Sequence, residues 1–153
     1  MLTVKEQAEV CRIGLVTGLL SQQEVTGWAD GIIESDDCPD SAIIDISLMG
    51  SSERPALVSA LFDITGETDF GRVINTALGV CADKFRRGSL TADEAAAVLD
   101  RLAPDMSCRR CNIRAEYAMP VDAQTAAIRV ALSENAVVKF LAPYAVYAAD
   151  ITL

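Results

Sequence analysis

The chain has 153 residues, 51% of them hydrophobic and only 5% aromatic, a mix that favours helices joined through small and aliphatic side chains over an aromatic-rich β-sandwich. It carries a net charge of −9 and no histidine, so a serine or cysteine nucleophile paired with histidine is excluded and the commonest metal ligand is missing. No apolar run approaches the roughly 20 residues needed to span a bilayer, and no basic stripe with interleaved aromatics suggests direct nucleic-acid binding.

The N-terminal MLTVKEQAEV has no basic region leading into an apolar one, so Met1 reads as a native start without a secretory signal. Thr3-Val-Lys-Glu6 is a capping box that opens a helix. Val4, Ala8, Cys11, Leu15 and Leu19 follow at helical spacing, and Gly18 is a break. Ser21-Gln-Gln-Glu24 is a second capping box. Val25, Trp28, Ala29, Ile32 and Ile33 form the clearest amphipathic stripe in the chain, ending near Ser35. Residues 40–49 alternate like a strand at Ile44, Ile46 and Leu48, but Gly50 suits a helix end, and the context favours a helix. Ser51 or Ser52 is expected to cap the next helix, with Pro55 in its first turn. Its stripe is Leu57, Ala60, Leu61 and Ile64, and Gly66 stops it.

A second set begins near Thr68-Asp69. Phe70, Val73, Ile74, Ala77, Cys81 and Phe85 form a long apolar face closed by Gly88. Thr91-Ala-Asp-Glu94 is a third capping box, before Ala95, Val98, Leu99 and Leu102. Pro104 ends that helix. A weaker segment covers Cys108 to Met119 before Pro120, and Asp122 is a cap candidate for Ala123–Leu132. The tail from Glu134 to Leu153 reads as a third start, with a β-hairpin over Ala126–Leu153 as the alternative.

These elements recur at an ungapped offset of 70. Val10-Cys11 returns as Val80-Cys81, Gly18 and Leu20 as Gly88 and Leu90, and Ser21 and Glu24 as Thr91 and Glu94. Asp30 and Cys38 return as Asp100 and Cys108; Ile43, Met49 and Ala56 return as Ile113, Met119 and Ala126. The expectation is an all-α domain over 1–153: a helical array of two duplicated units of about four helices, 1–68 and 69–138, with a C-terminal cap at 139–153. Such an array offers a binding surface more readily than a catalytic pocket.

Little in the chain spells out chemistry. Gly14, Gly18, Gly27 and Gly31 lie in helical pattern, not between a strand and a helix, and their spacing suits close helix packing over phosphate binding. Cys108-Arg-Arg-Cys111 is a CxxC without a second pair for zinc or a βαβ setting for redox work. An odd set of five cysteines in a chain of this size argues against a disulfide framework. The thiols read as structural and reduced, and the protein as cytoplasmic. A calcium loop starting at Asp36 would place Ser41 and Ser47 where glycine and glutamate are needed, so it fails. No catalytic residue, metal or cofactor is expected.

Charge is divided unevenly. Residues 1–70 hold 13 acidic and 3 basic side chains, whereas residues 71–153 hold 9 acidic and 10 basic. Asp30, Glu34, Asp36, Asp37, Asp40 and Asp45 concentrate the acid. They read either as a solvated loop and helix end or as a patch that docks against lysines and arginines of a partner. Lys84, Arg86, Arg87, Arg109, Arg110 and Arg114 form a basic cluster that could answer those acids within one molecule or across a homodimer.

The segment Gly18-Leu-Leu-Ser-Gln-Gln-Glu-Val-Thr-Gly-Trp-Ala-Asp30, with Ile32-Ile33, Asp36-Asp37, Pro39 and Ile43-Ile44-Asp45-Ile46-Ser47-Leu48, resembles small helical bacterial immunity proteins of interbacterial toxin systems. The shared pattern is a G-x-[ILV]-[ST]-x-x-E-[VI] opening, a W-A-D on the helix, and a D-x-P…I-x-[DE]-[IL]-S continuation. It departs from that pattern at Cys38, before Pro39. The resemblance implies a binding protein, not an enzyme, that neutralises a basic toxin by occlusion. An acidic secretion chaperone for an effector, and an enzyme using carboxylates or the CxxC, are the alternatives.

Overall fold

A computed structural model describes residues 1–102 and 134–153, with side chains from 137 onward in the second stretch. The fold is all-α, and no strand occurs among the described residues. The chain divides into two compact units, Met1–Asp69 with Asp150–Leu153, and Phe70–Ala149.

The first unit holds α1 (Val4–Thr17), α2 (Gln22–Ser35), α3 (Ser41–Ser47) and α4 (Arg54–Asp63). Its first two helices start as the sequence requires. Thr3 and Ser21 accept from the backbones of Glu6 and Glu24, and each glutamate accepts in return from the cap's own N–H. Gly18, with φ of 80°, ends α1 in the left-handed region, and Leu20 N–H reaches back to the Gly14 carbonyl at 2.9 Å. That turn brings the Leu20 side chain within 2.5 Å of where a Cβ on Gly14 would lie, so any larger residue at 14 would have to displace Leu20.

Residues 41–47 are a helix, and the strand alternative falls: Asp40 caps it, its Oδ1 accepting from Ala42 N–H at 2.9 Å. Ile43 and Ile46 are buried; Ile44 and Leu48 are exposed. Helix α4 departs from expectation at its start. Its N-cap is Glu53, without a side-chain capping bond, instead of Ser51 or Ser52. Pro55 in the first turn, lacking an N–H to be satisfied, does part of the work of a cap. Helix α2 packs on α3, α3 on α4, and α4 on α1. Trp28 is buried as its stripe implies, and its Nε1–H donates to Gln7 Oε1 at 2.9 Å, tying α2 to α1.

Helix α1 is buried far beyond the expected stripe. Val4 is 41% exposed, while Glu6, Glu9 and Arg12 are buried with the apolar residues. Buried charge must be paired, and the spacing Lys5–Glu9–Arg12 allows it. Glu9 takes Lys5 Nζ on one oxygen (2.9 Å) and Arg12 Nη2 on the other (2.6 Å). Lys5 also donates to the Phe62 carbonyl of α4 at 2.9 Å, and both cations lie over the Phe62 ring. Glu6 caps α1 and accepts from the N–H of Asp69.

The second unit holds α5 (Phe70–Arg86), α6 (Ala92–Leu102), α7 (Glu134–Leu141) and a 3-10 segment, Ala142–Asp150, of which all but Asp150 belongs to this unit. Each of its three α-helices packs on the other two. Val73, Ile74, Ala77 and Cys81 of the expected face are buried, with Phe70 and Phe85 half-buried at its ends. Residues 134–150 are helical, which removes the hairpin for that part of the tail. The 3-10 segment lies against Gly79, where a Cβ would come within 2.7 Å of Ala148 N.

At the offset of 70 two local features recur, although α5 starts at Phe70, four residues ahead of the counterpart of Val4. Gly88, with φ of 76°, answers Gly18, and Thr91–Glu94 closes the box formed by Ser21–Glu24. The hydrogen bond from Thr91 N–H, then that from its hydroxyl, holds the Glu94 carboxyl below the usual range. The expected features at Pro104, Cys108–Met119, Asp122 and Ala123–Leu132 lie outside the described residues.

The Glu9 pairing predicts a large cost on breaking it. Glu9→Gln removes the carboxylate charge that Lys5 and Arg12 share, at a site where Arg12 is 3% exposed, and should lower unfolding free energy by about 3 kcal/mol. Urea denaturation measures this directly.

Candidate functional site

The six acidic residues singled out in the sequence are all exposed, at the end of α2, in the turn after it, and on α3. Between Arg12 and Arg54 there is no lysine or arginine, while eight carboxylates occur. Of the first unit's cations, Lys5 and Arg12 are committed to Glu9 and Phe62, and Arg54 opens α4. The α2–α3 surface therefore has no basic side chain of its own.

The six carboxylates do not have one role. Asp40 caps α3. Asp36 accepts from Cys38 N–H at 3.0 Å, shaping the turn from α2 to α3. Asp30 Oδ1 accepts from the Ser47 hydroxyl and so pins α2 to α3. Glu34, Asp37 and Asp45 are left to set the surface charge. Half the patch is thus structural as well as acidic.

Two pairs of residues near the patch were named in the sequence without their exposure being foreseen. Ile44 on α3 is 40% exposed, and Leu48, at its C-cap four residues on, is 78% exposed. The signal was present: Ala42, Ile43, Ile44, Ile46 and Leu48 are more apolar residues than one face of so short a helix can bury. The second is a correction. Gly27 and Gly31 were expected in helix packing, but both are exposed, and a Cβ at either would meet nothing within 4 Å. They share a face of α2 with Asp30 and Glu34.

Of the basic cluster, Arg86 at the end of α5 and Arg87 just after it pair locally. Both bind Asp83, at 2.5 and 2.7 Å, and the Arg86 hydrogen bond, with Arg87 beside it, holds that carboxyl low. Arg109, Arg110 and Arg114 lie outside the described residues, as do Cys108 and Cys111.

The remaining thiols are free. Cys11 and Cys81 are fully buried. Burial pushes the Cys81 thiol up to about 12, against a smaller opposite pull from Lys84. Burial, reinforced by the Glu24 charge, raises Cys11 well above the thiol range. Neither thiol forms an appreciable thiolate near neutral pH, as a nucleophile or metal ligand must. Cys38 is exposed. Among the described residues no three Cys, Asp or Glu side chains converge to hold a metal ion, and no helix is long and apolar enough to cross a membrane.

No protein-family model, no curated protein and no solved structure matches this chain.

The open glycines give a direct expectation. Gly27→Ala and Gly31→Ala add helix propensity without a clash, and each should stabilise the fold by about 0.5–1 kcal/mol in urea denaturation. Destabilisation would mean that something already occupies that face.

Proposed function

We propose that this protein binds and neutralises a basic protein partner by occlusion, as a cytoplasmic immunity protein does for the toxin encoded beside it. The observation that carries the reading is the α2–α3 face, which exposes both carboxylates and an apolar pair, while no cation stands within the segment from Ile13 to Glu53. A like-charged surface of this kind repels itself and attracts a cationic one. Carboxylates around the rim speed encounter and set orientation, while apolar contact at the centre slows departure. A toxin that acts on nucleic acid or another polyanion carries the matching cationic groove. Covering that groove is sufficient for inhibition, so the reading asks for no catalytic group.

Support also comes from what the chain offers for chemistry. It has no histidine, and its two described buried thiols are held protonated. The resemblance of residues 18–48 to immunity proteins supports the same reading.

The test pairs the chain with the protein encoded next to it. Co-expression should rescue growth from that protein, and the two should form a complex. Replacing Glu34, Asp37 and Asp45 by lysine leaves the capping residues intact, so melting temperature should hold. The association rate at low salt should fall at least about tenfold, and its salt dependence should flatten. An association rate that ignores the triple reversal would overturn the reading.

A further inference from the structure

This inference rests on the reading above and names the element that occupies the face. The first unit exposes several large apolar side chains, among them Ile44, Leu48 and Phe62. Phe62 is flanked by Lys5 and Arg12, which suits it to no cationic partner. Ile44 and Leu48 stand instead on a helix without a basic residue, next to Asp45. The bond from Ser47 to Asp30 joins α3 to α2 at the helix face that also carries Gly27, Gly31 and Glu34. These two helix faces offer three parts. Ile44 and Leu48 form an apolar ridge. Gly27 and Gly31 form a flat strip where backbone, not side chain, meets the solvent. Asp30 and Glu34 on α2 and Asp45 on α3 supply charge.

We infer that this surface receives an amphipathic cationic helix of the partner, its apolar stripe on Ile44 and Leu48 and its lysines or arginines over Asp30, Glu34 and Asp45. The ridge selects the occupant's chemistry. A purely polycationic segment would leave Leu48 uncovered, whereas an amphipathic one covers it and answers the carboxylates with the same element. The strip selects its shape. Helix axes approach more closely where the intervening side chains are small, and glycines one turn apart on α2 provide that approach. Strand addition needs an open sheet edge, and the described residues contain no strand.

The experiment uses the whole chain and two synthetic probes. One is a lysine–leucine peptide of about 20 residues with leucines at i, i+3, i+4 and i+7; the other is polylysine of equal length. Calorimetry gives the affinities, and amide shifts give the location. The lysine–leucine peptide should bind at least about tenfold more tightly than polylysine and shift amides within residues 27–48. Ile44→Ser with Leu48→Ser should remove that advantage and leave polylysine binding unchanged. Gly31→Leu, a better helix former placed in open space, should hold or raise the melting temperature yet weaken the lysine–leucine peptide at least about tenfold. Equal affinities for the two probes, or shifts outside residues 27–48, would overturn the inference and leave an electrostatic face standing. Failure of both probes to bind at low salt would remove the anionic docking surface itself.

Discussion

Glu9 organises the charge of the first unit. It is a buried carboxylate, and such a group is stable only when opposite charge is held against it. Lys5 and Arg12, four residues before and three after it on the same helix, supply that charge and carry it onto Phe62 of α4. The unit's sequence contains three basic residues, so this one seam takes up most of them. The remaining carboxylates of α2 and α3 have no cation on those helices to face. The α1–α4 seam therefore holds most of the unit's basic residues, while the α2–α3 segment contains none.

That surface is costly in several small ways. Like charges repel, exposed leucine and isoleucine gain nothing from water, and glycine in a helix interior forgoes the propensity that alanine would provide. Asp30, Asp36 and Asp40 offset part of the repulsion by making the bonds that shape the α2–α3 hairpin. Glu34, Asp37, Asp45, Ile44, Leu48, Gly27 and Gly31 receive no such return from the fold. A molecular partner that brings cations and apolar surface together would cover all of these positions at once. This is the physical basis for reading the unit as a binding protein.

The helices were legible because their signals are local. A hydroxyl followed three residues later by glutamate, then an apolar stripe, marks α1, α2 and α6 without reference to the rest of the chain. Boundaries that depend on longer context were not legible. Ser51 and Ser52 look like caps, yet the chain starts α4 from Glu53, using a proline in place of a capping bond. The strand-like alternation at Ile44, Ile46 and Leu48 is the pattern of a short helix with apolar residues on two sides, only one of which is buried. Of the candidate site, the acidic residues could be named from composition. Their division into structural and surface roles could not, because it depends on which backbone N–H or hydroxyl each meets. The open glycines were misread for a related reason: spacing shows that two glycines share a helix face but not whether anything lies against it.

The most direct test of the charge sorting requires no partner. Paramagnetic relaxation by nitroxide cosolutes that differ only in charge reports the electrostatic potential near each proton. At low salt, surface protons of residues 30–48 should relax several-fold faster with the cationic nitroxide than with the anionic one, while protons of α4 near Arg54 and Phe62 should show a ratio near one. A ratio that is uniform across the first unit would contradict the segregation of its charges.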